Sequence, residues 1–321
     1  MIKLMKKLLA AAAVIIPAFF PFATHAAQIY LDPATGKYPP GVTFGVDVRI
    51  DNQGQCVNAA EVDIAFPPNI LHAVSASDGN SIFSLWVKEP TIYQSYGIVS
   101  FVGGLPGGYC GRVSGDPALS NKLATIYFQF PTSTAAGSST FAPSAALSFE
   151  SSTIAILNDG AGTIAPLKTA GAVYSTLTSG KYAPVNTWQD AIQNDAAPPE
   201  PFTVGVYRDQ SLFSNQWFAA FSTVDKQTGI DHYEVAEVPL KDVNTPQSQW
   251  NWARAVSPYL IHDQSLSSVI AVRAIDAAGN VRVETFTPST QPSKNQWPYL
   301  NYVAIIGIVG IIVWQFVIHL L

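Results

Sequence analysis

The sequence predicts an all-β protein: a jelly-roll β-sandwich, a smaller β-sandwich behind it, and a single C-terminal transmembrane helix. Three observations lead there. Short runs rich in Val, Ile, Phe and Thr alternate apolar and polar residues and are bounded by Gly, Pro, Asn and Asp, the signature of half-buried strands. Charged residues are only 12% of the 321-residue chain, against roughly 25% in average globular proteins, while aromatics reach 12%, ample for a core. Uninterrupted apolar sequence occurs only at the two ends.

The N-terminal end, residues 1–26, is laid out as a secretory signal peptide. Lys3, Lys6 and Lys7 open it, Leu8 to Phe20 is apolar, and Thr24-His25-Ala26 supplies small residues before a cut after Ala26. Removing these three lysines leaves 14 positive against 22 negative charges, an acidic exported chain. The whole chain carries −5, which excludes the basic footprint of a nucleic-acid binder.

Residues 27–177 form the larger predicted sandwich. Val42, Phe44, Val46, Val48 and Ile50 share one face of a strand, and Val57 to Phe66, Ile98 to Val102 and Leu123 to Phe130 follow the same pattern. Asp78-Gly79, Gly103-Gly104 and Asp159-Gly160 read as turns. Residues 178–201 are a Pro-rich linker ending Ala196-Ala-Pro-Pro-Glu-Pro201, with a short helical turn as one reading of Asn186 to Asn194. Strand patterns return over residues 202–287, at Phe202 to Tyr207, Trp217 to Ser222, Ile230 to Val238 and Val269 to Ile275. Residues 288–301 make a stalk. Residues 302–321 contain no Asp, Glu, Lys or Arg, and twenty helical residues at about 1.5 Å each cross about 30 Å of hydrocarbon. Trp297, Tyr299 and Tyr302 lie where an interfacial aromatic belt would sit. The predicted location is therefore outside the cell membrane, anchored by this helix.

Few residues point to chemistry. Cys56 and Cys110 are the only cysteines; in an exported chain a disulfide is expected, two buried thiols being the alternative. His72, His232 and His262 lack metal-ligand spacing, and HExxH, CxxC and GxSxG are absent. Gly103-Gly-Leu-Pro-Gly-Gly108 lacks the GK[ST] ending of a phosphate loop and reads as a tight loop. No catalytic residue emerges, so binding is expected rather than catalysis. Calcium is the open cofactor question: Asp159, Asp225, Asp276 and Asn280, with Asp231 nearby, are either ligands or structural turn residues, because calcium needs six to eight oxygens and no contiguous loop supplies them. Trp250 and Trp252, at i and i+2 of a presumed strand, either stack on a sugar or pack into the protein; Tyr93, Tyr96 and Tyr109 are weaker candidates of the same kind.

The larger sandwich resembles a cohesin domain, a relative of carbohydrate-binding modules. The resemblance spans roughly residues 28–177. It rests on the strand Val42 to Ile50, then Val57-Asn-Ala-Ala-Glu-Val-Asp-Ile-Ala-Phe66-Pro67, then Ile70-Leu71 with Ala73-Val74, Leu123-Ala-Thr-Ile-Tyr-Phe128 and Leu157-Asn-Asp-Gly-Ala-Gly-Thr163. Phe66-Pro67-Pro68 stands where the family usually carries aromatic-Asp-Pro. The resemblance implies a jelly roll that binds a dockerin-like protein partner. The smaller domain is similar to bacterial Ig-like or fibronectin type III modules. Thr223-Val-Asp-Lys-Gln-Thr-Gly-Ile-Asp-His-Tyr-Glu-Val235 matches their strand entry, and Val272-Arg-Ala-Ile-Asp-Ala-Ala-Gly-Asn280 their closing hairpin. Together these readings predict a membrane-anchored extracellular binding or scaffold protein. The alternatives are a surface protein that binds polysaccharide and a structural component of the cell envelope.

Overall fold

The computed structural model describes residues 26–111, 120–132, 144–177 and 185–288. Residues 1–25 of the expected signal peptide, residues 289–301 of the expected stalk and the whole expected C-terminal helix lie outside these residues, as do residues 178–184 of the linker. No helix among the described residues is long and apolar enough to cross a membrane.

Among the described residues, twelve strands build the first sandwich: β1 (Ala27–Asp32), β2 (Thr35–Tyr38), β3 (Thr43–Asp51), β4 (Val57–Ala65), β5 (His72–Ser77), β6 (Leu85–Tyr93), β7 (Ile98–Tyr109), β8 (Lys122–Gln129), β9 (Ser144–Phe149), β10 (Ile154–Leu157), β11 (Leu167–Ala170) and β12 (Ala172–Thr176). One sheet runs β11-β1-β3-β8-β5. The other runs β2-β12-β9-β4-β7-β6, with β10 also paired to β4. Pairing is antiparallel except β1 with β11 and β12 with β2.

The period-two pattern explains which face goes inside. Phe44, Val46, Val48 and Ile50 of β3 meet Val62 and Ile64 of β4 and Phe101 of β7 in one core. Each such side chain contributes about 1.5–3 kcal/mol on burial. Aromatic rings close one end of this core. Tyr38 stacks on Phe44 with centroids 3.7 Å apart. Tyr174 donates its hydroxyl to Pro33 O at 2.6 Å, so the buried phenol keeps a partner.

The glycine-rich stretch at 103–108 is strand, not the expected loop. Gly103 pairs with Ala60 and Trp86, and Gly104 with Ala59 and Leu85, inside β7. The rings of Phe83 and Trp86 fill the space a side chain would need, since a Cβ on Gly103 would lie 2.5 Å from the Phe83 ring. Glycine therefore marks close packing here rather than a turn.

Downstream, helix α1 (Thr187–Asn194) replaces what the sequence leaves as linker with a helical turn. Asn186 caps it, its side chain accepting from the Gln189 N–H at 3.1 Å. The helix lies against the first sandwich: Trp188 packs on Tyr127 with centroids 4.9 Å apart, and Thr187 Oγ1 donates to Thr43 O at 3.1 Å.

The second sandwich has a sheet of β13 (Gly205–Arg208), β14 (Trp217–Ala220) and β17 (Tyr259–Leu260), ordered β13-β14-β17. It faces a sheet of β15 (Ile230–Pro239), β16 (Ala253–Ala255), β18 (Ser268–Asp276) and β19 (Val281–Phe286), ordered β16-β15-β18-β19. Val204, Phe221, Val235, Ile261, Ile270 and Val272 fill the space between. The other face of β15 and β18 carries a second small cluster of Ala236, Val238, Val269 and Ala271, covered by Trp250, Trp252 and Val243.

Candidate functional site

Two turns of the second sandwich and the end of helix α1 converge on one point. The turn before β15 is held by Asp225, whose Oδ1 accepts the backbone N–H groups of Gln227, Thr228 and Gly229 at 2.9, 2.9 and 3.0 Å. The β18–β19 hairpin is held by Asp276, whose Oδ1 accepts from Ala278 and Asn280 at 2.9 and 2.8 Å. Asp and Asn favour such positions because a short polar side chain reaches the backbone just ahead of it. Asn280 Nδ2 donates to Asp276 Oδ2 at 2.9 Å and to Asp195 O at 3.2 Å, drawing in the residue that follows α1. Asp195 Oδ2 in turn accepts both the N–H and the hydroxyl of Thr228, at 3.2 and 2.6 Å.

The result is three carboxylates in one place. Asp195, Asp225 and Asp276 each offer an oxygen, and these oxygens lie within 4.8 Å of one another. The three residues are 7%, 3% and 1% exposed. None of the ion pairs among the described residues reaches them. Burial pushes the Asp276 carboxyl above its ordinary range against its hydrogen bonds to Asn280, and the charges of Asp195 and Asp225 add to the push. Buried like charges call for a proton or a cation. An all-oxygen donor set of carboxylates suits a hard divalent ion such as calcium.

Of the four residues singled out from sequence, Asp225, Asp276 and Asn280 meet here, and Asp159 does not. Asp159 lies in the exposed turn after β10, where its Oδ1 accepts from Ala161 N at 2.8 Å. A hydrogen bond from Thr163 holds its carboxyl below the usual range. Asp195 went unrecognised because it follows a short helix in a Pro-rich stretch, and no local motif marks it.

The cysteines are joined: Cys56 and Cys110 form a disulfide linking the start of β4 to the residue after β7. Trp250 and Trp252 sit before β16 rather than within a strand. Both rings are half-buried, tilted 38° to each other, with Trp250 Nε1 donating to Thr245 Oγ1 at 3.2 Å and Trp252 Nε1 to Gln247 O at 2.9 Å. The guanidinium of Arg273 lies 4.6 Å from the Trp252 ring. The i, i+2 spacing puts the rings side by side, but through a turn that lays them over β15 and β18.

A second surface is the outward face of β6, β7, β4 and β9. Val62, Ile64, Val99 and Phe101 point inward, so their neighbours Asp63, Ala65 and Ser100 point out. Asp63 lies opposite Ser100. Lys88 crosses above, donating to Ser100 Oγ at 2.7 Å with its ammonium 4.9 Å from the Tyr93 ring. Ala146 and Ser148 of β9 are exposed. The face carries Glu61 and Asp63 of β4 and Lys88 of β6, with Ser100 and Val102 of β7 buried at its middle.

No family model and no curated protein matches the sequence. The structural neighbours are cohesin domains. A cohesin from Clostridium thermocellum, solved in a type I cohesin–dockerin complex, is 9% identical and aligns over 47% of this chain and 94% of its own, with a TM-score of 0.39. The sixth cohesin of scaffoldin B from Acetivibrio cellulolyticus, solved with a Cel5 dockerin, is 17% identical over 47% of this chain and 99% of its own, at a TM-score of 0.36. A cohesin from Clostridium acetobutylicum, solved in solution, is 13% identical over 49% and 94%, at 0.34.

Proposed function

We propose that this chain is a membrane-held binding protein of the cell exterior whose first sandwich recognises a protein partner. The outward face of β6, β7, β4 and β9 carries the reading. It is a sheet face with Glu61, Asp63 and Lys88 on it, and such a surface suits the broad contact of a protein–protein interface, whereas small ligands prefer concave pockets. A dockerin-like partner follows from the sequence resemblance of residues 28–177. Residues 1–26 export the chain, the Ig-like second sandwich spaces the first from the membrane, and residues 302–321 hold it there. The carboxylates of Asp195, Asp225 and Asp276 bind calcium as a structural ion, fixing the turn before β15, the β18–β19 hairpin and the end of α1 together.

The test immobilises the full chain and passes exported proteins and purified dockerin modules over it, beside an Asp63→Lys variant. Saturable capture by the wild type, weakened at least tenfold in the variant, supports the reading. Retention on a polysaccharide matrix that is lost in Trp252→Ala, with no protein captured, moves the function to carbohydrate binding and overturns it.

A further inference from the structure

The loop joining β5 to β6 leaves the first sandwich and docks into the second. Ser77 Oγ donates to Thr228 O at 2.7 Å, and Asp78 Oδ1 accepts the Ile230 N–H at 2.9 Å. Asn80 N–H reaches Asp225 O at 3.4 Å, and Ser222 Oγ donates back to Ser84 O. The fit leaves no room for added atoms: a Cβ on Gly79 would stand 2.3 Å from Gln227 O, and one on Gly229 would stand 1.9 Å from Asp78 Oδ1. Asp78 is 5% exposed, a carboxyl enclosed by the joint it makes.

We propose that this joint is a pH-operated latch, in which Asp78 locks the second sandwich onto the first in acid and releases it as the pH rises to neutrality.

The groups facing Asp78 are mainly acidic. Glu89 of β6 and Asp225 of the docking turn both repel its negative form. Lys122 of β8 is the cation that interacts with it, and the Tyr233 phenol of β15 also feels its charge. Glu89 faces Asp231, which repels it, and Arg254 and His232, which offset that repulsion. Burial pushes the Asp78 carboxyl up to about 7, with Glu89 and Asp225 adding to the push and the Ile230 N–H opposing it. Burial and Asp231 push Glu89 up to about 7 as well.

The direction follows from linkage. Released into water, Asp78 returns toward its ordinary value of 3.8. The docked state therefore binds protons that the released state gives up. That preference is complete below about pH 4 and is used up as pH rises through about 7. Within this window each pH unit weakens docking about tenfold for every proton released. The Ile230 N–H finds an acceptor oxygen in either form of the carboxyl, so charge, not loss of the hydrogen bond, drives release.

The experiment places spin labels at Lys37→Cys and Thr285→Cys, both at exposed positions on opposite sandwiches. Distances are measured on the full chain in mild detergent between pH 5 and 9, with a chelator present throughout. One narrow distance at pH 5, giving way to a broad distribution above pH 8, is expected. Asp78→Asn keeps the acceptor oxygen without the charge and should stay narrow at every pH. Glu89→Gln removes one repelling charge and should move the midpoint upward in pH. An unchanged wild-type distribution from pH 5 to 9 overturns the latch. So does a wild-type response that persists in Asp78→Asn or, should that variant not fold, an unmoved midpoint in Glu89→Gln.

Discussion

Asp195 grips Thr228 twice, its Oδ2 accepting the backbone N–H at 3.2 Å and the hydroxyl at 2.6 Å. These residues are 33 positions apart. One follows the helix that lies on the first sandwich, and the other sits in the turn that opens β15. Thr228→Val keeps the shape and removes the hydroxyl, leaving a buried carboxylate short of a donor. We expect a loss of about 1–3 kcal/mol, read as a lower thermal midpoint with the strand content unchanged.

Calcium should raise the melting temperature of the wild type. At a hundredfold excess over its dissociation constant a ligand adds about 2.7 kcal/mol. Asp276→Asn removes a carboxylate that is 1% exposed and should abolish that increment while leaving the protein folded in chelator. Scanning calorimetry with and without calcium checks both.

The disulfide closes a loop with a sequence separation of 54 residues. In the chain-entropy model a crosslink of that span restricts the unfolded chain by about 4 kcal/mol. Replacing both cysteines by serine should lower stability by a comparable amount in urea titrations, with the fold retained.

Trp188 ties α1 to Tyr127 on the first sandwich. Trp188→Ala should free the helix and increase amide exchange over Thr187–Asn194, while exchange in β4 and β7 stays as it was. A half-buried contact of this kind contributes about 1–3 kcal/mol locally.

The strands were legible wherever one face is buried. Val, Ile and Phe alternating along β3, β4 and β8 announce a half-buried strand, and the structure puts those residues in one core. The disulfide was legible from the cysteine count together with the expected export. Gly103 and Gly104 misled because glycine serves two purposes: it allows a turn, and it also allows close packing. Here the rings of Phe83 and Trp86 decide for packing, and those rings become neighbours only once β6 pairs with β7. Two of the three carboxylates were legible, because Asp225 and Asp276 sit in turn motifs with local signatures. Asp195 was not, since its role comes from contacts with Thr228 and Asn280, each more than thirty positions away. The sequence marks Asp78 as a turn residue, and only the docking of the two sandwiches gives its carboxyl a partner at Ile230.

The most direct test of the central claim maps where a partner lands. The full chain is titrated with a dockerin module, and amide exchange is followed strand by strand. The account predicts saturable binding with protection concentrated in β4, β6, β7 and β9, weakened at least tenfold by Asp63→Lys. Saturable binding that leaves those strands unprotected, or that Asp63→Lys does not weaken, would contradict it.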